Sequence, residues 1–162
     1  MADNGVDLRY PFVAFNFGVE ITFPGVSSPL CGASFAECDG LEMTMEVKTI
    51  REGGNNDRQI RLSGPISYGQ LVLKRGMTRD TDLWDWFRDS FNDPSLRASA
   101  EVVMFSSEAG KYTAQKRFVL AGCVPVKLKA PPLNAKDGFI AIEEMQIAYE
   151  SLELKKGSGT SG

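Results

Sequence analysis

Histidine is absent from the 162 residues. That removes the commonest general base, the commonest zinc ligand and every Ser-His or Cys-His dyad. Cysteine is scarce. Cys31, Cys38 and Cys123 are odd in number and lack a CxxC spacing, so a disulfide framework is not expected and the thiols read as buried or incidental. No apolar run approaches the roughly 20 residues that cross a bilayer. The N-terminal MADNGVDLRY also lacks the basic-then-apolar order of a secretory leader. Cytoplasmic synthesis without a membrane anchor is the expectation. Basic clusters are missing too: Lys155-Lys156 is too short to count. A net charge of −3 argues against a protein that gains affinity by neutralising phosphates.

What is present suits one ordinary globular domain. The hydrophobic fraction is 43% and the charged fraction 24%. A chain of this length buries roughly 70% of its unfolded surface, so its core needs no staple. The expected organisation is a single domain over residues 1–154, followed by a flexible Gly/Ser tail over 155–162.

Period-two alternation dominates the pattern. Val13, Phe15, Phe17, Val19, Ile21 and Phe23 interleave with polar or small residues and predict a half-buried strand, ended by Pro24-Gly25. A turn-rich connection over 24–34 leads to a second strand over about 35–49, bent near Asp39-Gly40. In it Leu41, Met43, Met45 and Val47 alternate with Glu42, Thr44, Glu46 and Lys48, one greasy face and one wet. Residues 50–65 read as a polar loop, and Ile66 to Arg75 as a third strand. Asp80 or Thr81 then caps a helix whose Leu83, Trp84, Phe87 and Phe91 share one side, stopped by Asn92-Asp93-Pro94. Arg97–Phe105 and Tyr112–Ala121 form a hairpin, with an extended continuation over 124–129. Phe139 to Leu154 closes the pattern as one long strand. The expected fold is mainly β, an antiparallel sandwich or partial barrel of six to seven strands with one flanking helix.

Candidate chemistry is thin. Asp80, Asp82, Asp85 and Asp89 lack the Asp-x-Asp-x-Asp-Gly order of a calcium loop and read as helix-dipole partners. Gly53-Gly54-Asn55-Asn56 suggests a backbone nest, but no Lys-Ser/Thr follows as in a phosphate loop. Glu42 and Glu46 lie roughly 13 Å apart along a strand, too far to act as an acid–base pair, and Glu143 and Glu144 read as solvated strand positions. Trp84 and Trp86 cannot both face one surface of a helix, so one reads as core and the other as an interface anchor. No constellation survives as an active site and no cofactor motif is present. Long strands, open edges and an exposed polar loop fit an assembly protein better than an enzyme, with a monomeric β-barrel binding a small ligand as the alternative.

The order of motifs is specific. F-x-E-C-D-G-L-E-x-x-x-E-x-K-x-x-R-E-G-G-N (Phe35 to Asn55) precedes L-x-L-K-R-G-x-T (Leu71 to Thr78) and L-W-x-W (Leu83 to Trp86). With A-I-E-E-M-Q-I-A-Y-E-S-L (Ala141 to Leu152), the set resembles the tail-tube family of contractile phages and phage-like injection systems, a relative of the type VI secretion tube protein. The resemblance implies a homohexameric ring whose strands close into a larger β-barrel, rings stacked into a hollow tube, and a non-enzymatic role. Implied partners are a sheath, baseplate and tube-initiator or terminator proteins, with effector cargo or DNA in the lumen. It also implies inter-subunit or ring-stacking contacts at Arg51, Glu52, Gly53, Gly54, Asn55 and Asn56. Lys74, Arg75 and Gly76 would form the strand-to-helix passage. Leu83, Trp84 and Trp86 would be packing or interface anchors, and Glu42, Thr44, Glu46 and Lys48 would face the lumen.

Overall fold

The computed structural model describes residues 16–30, 35–51, 53–54, 58–108 and 111–157. The expected strand residues Val13 and Phe15, together with Cys31, Glu52, Asn55, Asn56 and Gly110, lie outside that set. Among the described residues nine strands and one helix follow in the order β1 (Phe17–Thr22), β2 (Glu37–Asp39), β3 (Met43–Arg51), β4 (Gln59–Tyr68), β5 (Gln70–Gly76), α1 (Asp82–Asn92), β6 (Ala98–Glu108), β7 (Lys111–Lys129), β8 (Ile142–Ala148) and β9 (Ser151–Lys156). Seven strands form the main sheet, all antiparallel, and β3 pairs with β4 as a separate two-stranded ribbon.

β7 organises the main sheet. Its first part pairs with β6 and β9, and its last part, Val124 to Lys129, pairs with β8. The switch occurs where β7 carries two extra residues: one at the register shift opposite Ala98 and Ala100, the other between Pro125 and Lys127. Gly122, with φ +66°, supplies the left-handed step that an extra residue in a strand needs. One half of the fold is therefore β1-β6-β7-β9 and the other β2-β5-β8-β7. Alternate residues of both halves point into a common core: Val19, Ile21, Ala100 and Leu120 from the first, Leu71, Leu73, Met145 and Ile147 from the second. Each buried aliphatic side chain contributes roughly 1.5–3 kcal/mol.

Several boundaries differ from expectation. The run over 50–65 is mostly strand, because Gln59 to Ser63 pair back onto Val47 to Arg51. Ile66 to Arg75 is divided at Gly69, and Phe139 to Leu154 at Tyr149-Glu150, where the chain turns from one half to the other. Lys155 and Lys156 belong to β9, and the Gly157 amide donates to the Gln115 carbonyl, so the expected tail does not begin at 155. In α1 the buried residues are Leu83 and Trp86, whereas Trp84 and Phe91 are exposed. Three-residue spacing, rather than the wider stripe through Phe91, meets the core. Thr81 stands at the N-cap without a side-chain bond to the helix backbone; its hydroxyl donates to Asp85 instead.

Candidate assembly surface

A hairpin leaves the body at Gly40 and Gly69. β2 and β5 are the root of the hairpin whose outer part is β3 and β4, and the break between them is sharp. Gly40 has φ +91°, and a Cβ there would sit 1.8 Å from the Gln70 carbonyl oxygen, so glycine alone lets the two strands approach. The Tyr149 hydroxyl clamps the kink. It accepts from the Glu42 amide (3.1 Å) and lies 2.8 Å from the Gly40 carbonyl and 3.0 Å from the Glu42 carbonyl, to which it donates. Tyr149 is buried and its ring leans on Tyr68. Sequence reasoning missed this residue, although a tyrosine at the end of a core strand carries a polar tip that needs a partner.

Beyond the kink no strand residue of β3 is buried, so the greasy face expected from Met43, Met45 and Val47 is as exposed as the wet one. Met43, Met45 and Val47 share a face with Ile66 and Tyr68, and on that side only Tyr68 reaches the core. Thr44, Glu46 and Lys48 share the opposite face. A bulge in β4 at Gly64-Pro65, opposite Glu46, shifts the register. Past it the apolar residues change sides, so Ile50, Ile60 and Leu62 stand with Lys48. An exposed ribbon with aliphatic side chains on both faces has no covering partner among the described residues. Such a surface marks an interaction site.

The wet face continues the body. Outward residues of the second half form the row Glu37, Lys74, Glu144 and Lys129, followed by Asp39, Val72, Gln146 and Lys127. Lys74 bridges Glu37 at 3.3 Å. One edge strand, β2, is acidic, while the opposite edge, the end of β7, carries Lys127 and Lys129.

The strand-to-helix motif divides in function. Lys74 faces outward and Arg75 is 2% exposed, turned into the core. Arg75 Nε meets Glu143 Oε1 at 2.5 Å, its Nη2 meets Asp82 Oδ1 at 2.5 Å, and its guanidinium lies over the Phe35 ring. Trp84 Nε1 donates to Glu143 Oε2 at 3.1 Å. Glu143 is therefore a buried ion-pair member, correcting its reading as a solvated position. A carboxylate facing a core finds its charge partner one strand away. Trp86 is the core tryptophan, edge-on to Phe23 at 6.1 Å, and Trp84 ties the helix to β8 through this cluster. Gly53 and Gly54 stand at the hairpin tip with open space around them.

Both described thiols are held in the protonated form at neutral pH. Burial pushes both Cys38 and Cys123 up to about 11. Among the described residues no group of His, Cys, Asp and Glu could hold a metal ion, and no helix is long and apolar enough to cross a membrane.

Comparison with known proteins adds the following. Residues 13–153 match the family model described as T4-like virus tail tube protein gp19. No curated protein sequence matches significantly. Among solved structures, a chain of the anti-feeding prophage baseplate, seen by cryo-electron microscopy, shares the fold at TM-score 0.79 and 24% identity, covering 91% of this chain and 97% of that one. A chain of the sheath-tube complex of PVC, an extracellular contractile injection system in the extended state, matches at 0.77 and 17%, covering 96% and 99%. A crystal structure of Hcp protein matches at 0.52 and 15%, covering 90% and 96%.

Proposed function

The chain belongs to the T4-like virus tail tube protein family and is a structural tube subunit; from that premise we propose how it builds its tube. Six copies form a ring, rings stack head to tail, and a sheath drives the resulting tube through a target envelope. The observation that carries this reading is the exposed hairpin, whose aliphatic faces are left wet in a single copy. The four strands β2, β5, β8 and the end of β7 run alternately up and down. A neighbour can therefore add its own β7 edge to β2 and keep the antiparallel order. The acidic β2 edge and the basic β7 edge favour that head-to-tail joining. The row Glu37, Lys74, Glu144 and Lys129, extended along the hairpin by Glu42, Thr44, Glu46 and Lys48, then faces a watery lumen. Effector cargo or DNA occupies that lumen. Sheath, baseplate and terminator proteins are the partners, the chain does no catalysis, and it is made in the cytoplasm.

The contacts between rings are made by the stretch Arg51 to Asn56, which joins β3 to β4 in the sequence. Gly53 has room for a side chain in the monomer, so Gly53→Phe is expected to leave the fold intact and impair stacking. Electron microscopy of the purified protein and of its native particle tests the whole reading. Six-fold rings or tubes with a central channel are expected. Monomers alone, with no place in any particle, would refute it.

A further inference from the structure

The end of the body opposite the hairpin carries a second exposed apolar surface. β5 runs from Gln70, beside the hairpin root, to Gly76, and β8 starts next to it at Ile142. The segment joining β7 to β8 sits at this far end: the Met77 amide donates to the Ala141 carbonyl, and Ile140 lies against Gly76. Within the segment Leu133, Phe139 and Ile140 are 92%, 85% and 82% exposed. They border a cleft of about 770 Å³ together with Pro132 and Ile142. Asn134 shapes the turn between them, donating to Asp137 and accepting from the Lys136 amide.

We propose that this cleft receives the distal apolar patch of the hairpin, Ile50, Ile60 and Leu62, from a second copy in the adjacent ring. The proposal rests on the tube reading above and names the surface on which the hairpin lands. Three observations commit the cleft to a second copy. The hairpin leaves the body at the Gln70 end of β5 and the cleft lies at its Gly76 end, so a copy shifted along the β5 direction, without turning, presents its cleft to the hairpin. The two patches differ from each other, as a head-to-tail contact that repeats without closing requires. The nine-residue β3 extends roughly 30 Å, enough to carry the patch past its own body. Three side chains on each partner make a contact smaller than the roughly 800 Å² per partner of a standard interface. A single hairpin therefore holds weakly, and six repeats around a ring hold firmly.

The test uses the full chain assembled with its native particle. Leu133→Asp with Phe139→Asp places charges where the landing is apolar; both sites are exposed, so the monomer's melting temperature should not change. Rings that form but stack at least tenfold less than wild type are expected. Under mild oxidation, Ile60→Cys combined with Phe139→Cys should give a ladder of linked copies that neither single variant gives. Normal tubes from the Asp variant, or a double-cysteine pattern equal to that of the single variants, overturns the docking while leaving the tube reading intact. A wild-type chain that forms neither rings nor tubes overturns both.

Discussion

Arg75 lies inside because the alternation that buries Leu71 and Leu73 continues through it, and the price of its desolvation is offset by Glu143 and Asp82. Removing one partner strands a buried charge, at a cost of about 3–5 kcal/mol. Arg75→Met alone should therefore lower stability by that amount, and Arg75→Met with Glu143→Met by clearly less, read from urea midpoints of the monomer. A second residue-scale effect concerns the thiols. Burial raises Cys38 and Cys123 from 9.0 to about 11, so between those values the unfolded chain has released protons that the folded chain still holds. Stability then falls as pH rises through this window, each thiol contributing about 1 kcal/mol per pH unit. The contribution is complete below pH 9. Cys123→Ala is expected to flatten the alkaline slope, measured by denaturation at pH 8.5, 9.5 and 10.5. From the sequence Arg75 was legible only as part of a strand-to-helix passage, with nothing to show its facing; the inward turn of a charge depends on Glu143, which stands across the sheet and far away in sequence.

Among the elements, the hairpin was the least legible. β3 was clear as an alternating strand, but its greasy face promised a core that the described residues do not supply. Gln59 and Arg61 on β4 read as loop because a strand exposed on both sides has no inside–outside contrast to detect. Helix α1 was legible in extent, from Asp82 to its stop at Asp93, and misread in face, since Trp84 and Phe91 complete a stripe that the sandwich leaves exposed. The main sheet was legible because its inward residues meet partners within the chain. The kink makes a sharp contrast between two glycines. At Gly40 a Cβ meets backbone at 1.8 Å, while at Gly69 it meets only the flexible Glu42 side chain at 2.5 Å. Gly40→Ala should therefore destabilise by more than the ~1 kcal/mol of an average substitution, and Gly69→Ala by less than Gly40→Ala. Tyr149→Phe keeps the ring packing and removes the clamp. Amides at the hairpin root should then exchange faster, while those of β5 and β8 stay protected, as hydrogen exchange would show.

At the scale of the molecule, the two halves of the body and the projecting hairpin answer to different environments. Val47→Ser with Ile66→Ser changes residues that are 59% and 49% exposed, so the isolated subunit should melt within about 2 °C of wild type while ring and tube formation collapse. Sedimentation across a concentration series separates the two effects. β7 brings a consequence of another kind. Its 19 residues take part in both halves of the sandwich, so the halves cannot slide past each other without stretching a single backbone. A subunit pushed from behind along a tube would be sheared between its neighbours, and side-chain packing alone yields gradually under shear. A covalent strand through both layers makes the subunit stiff in that direction, so a thrust entering one layer reaches the other through peptide bonds.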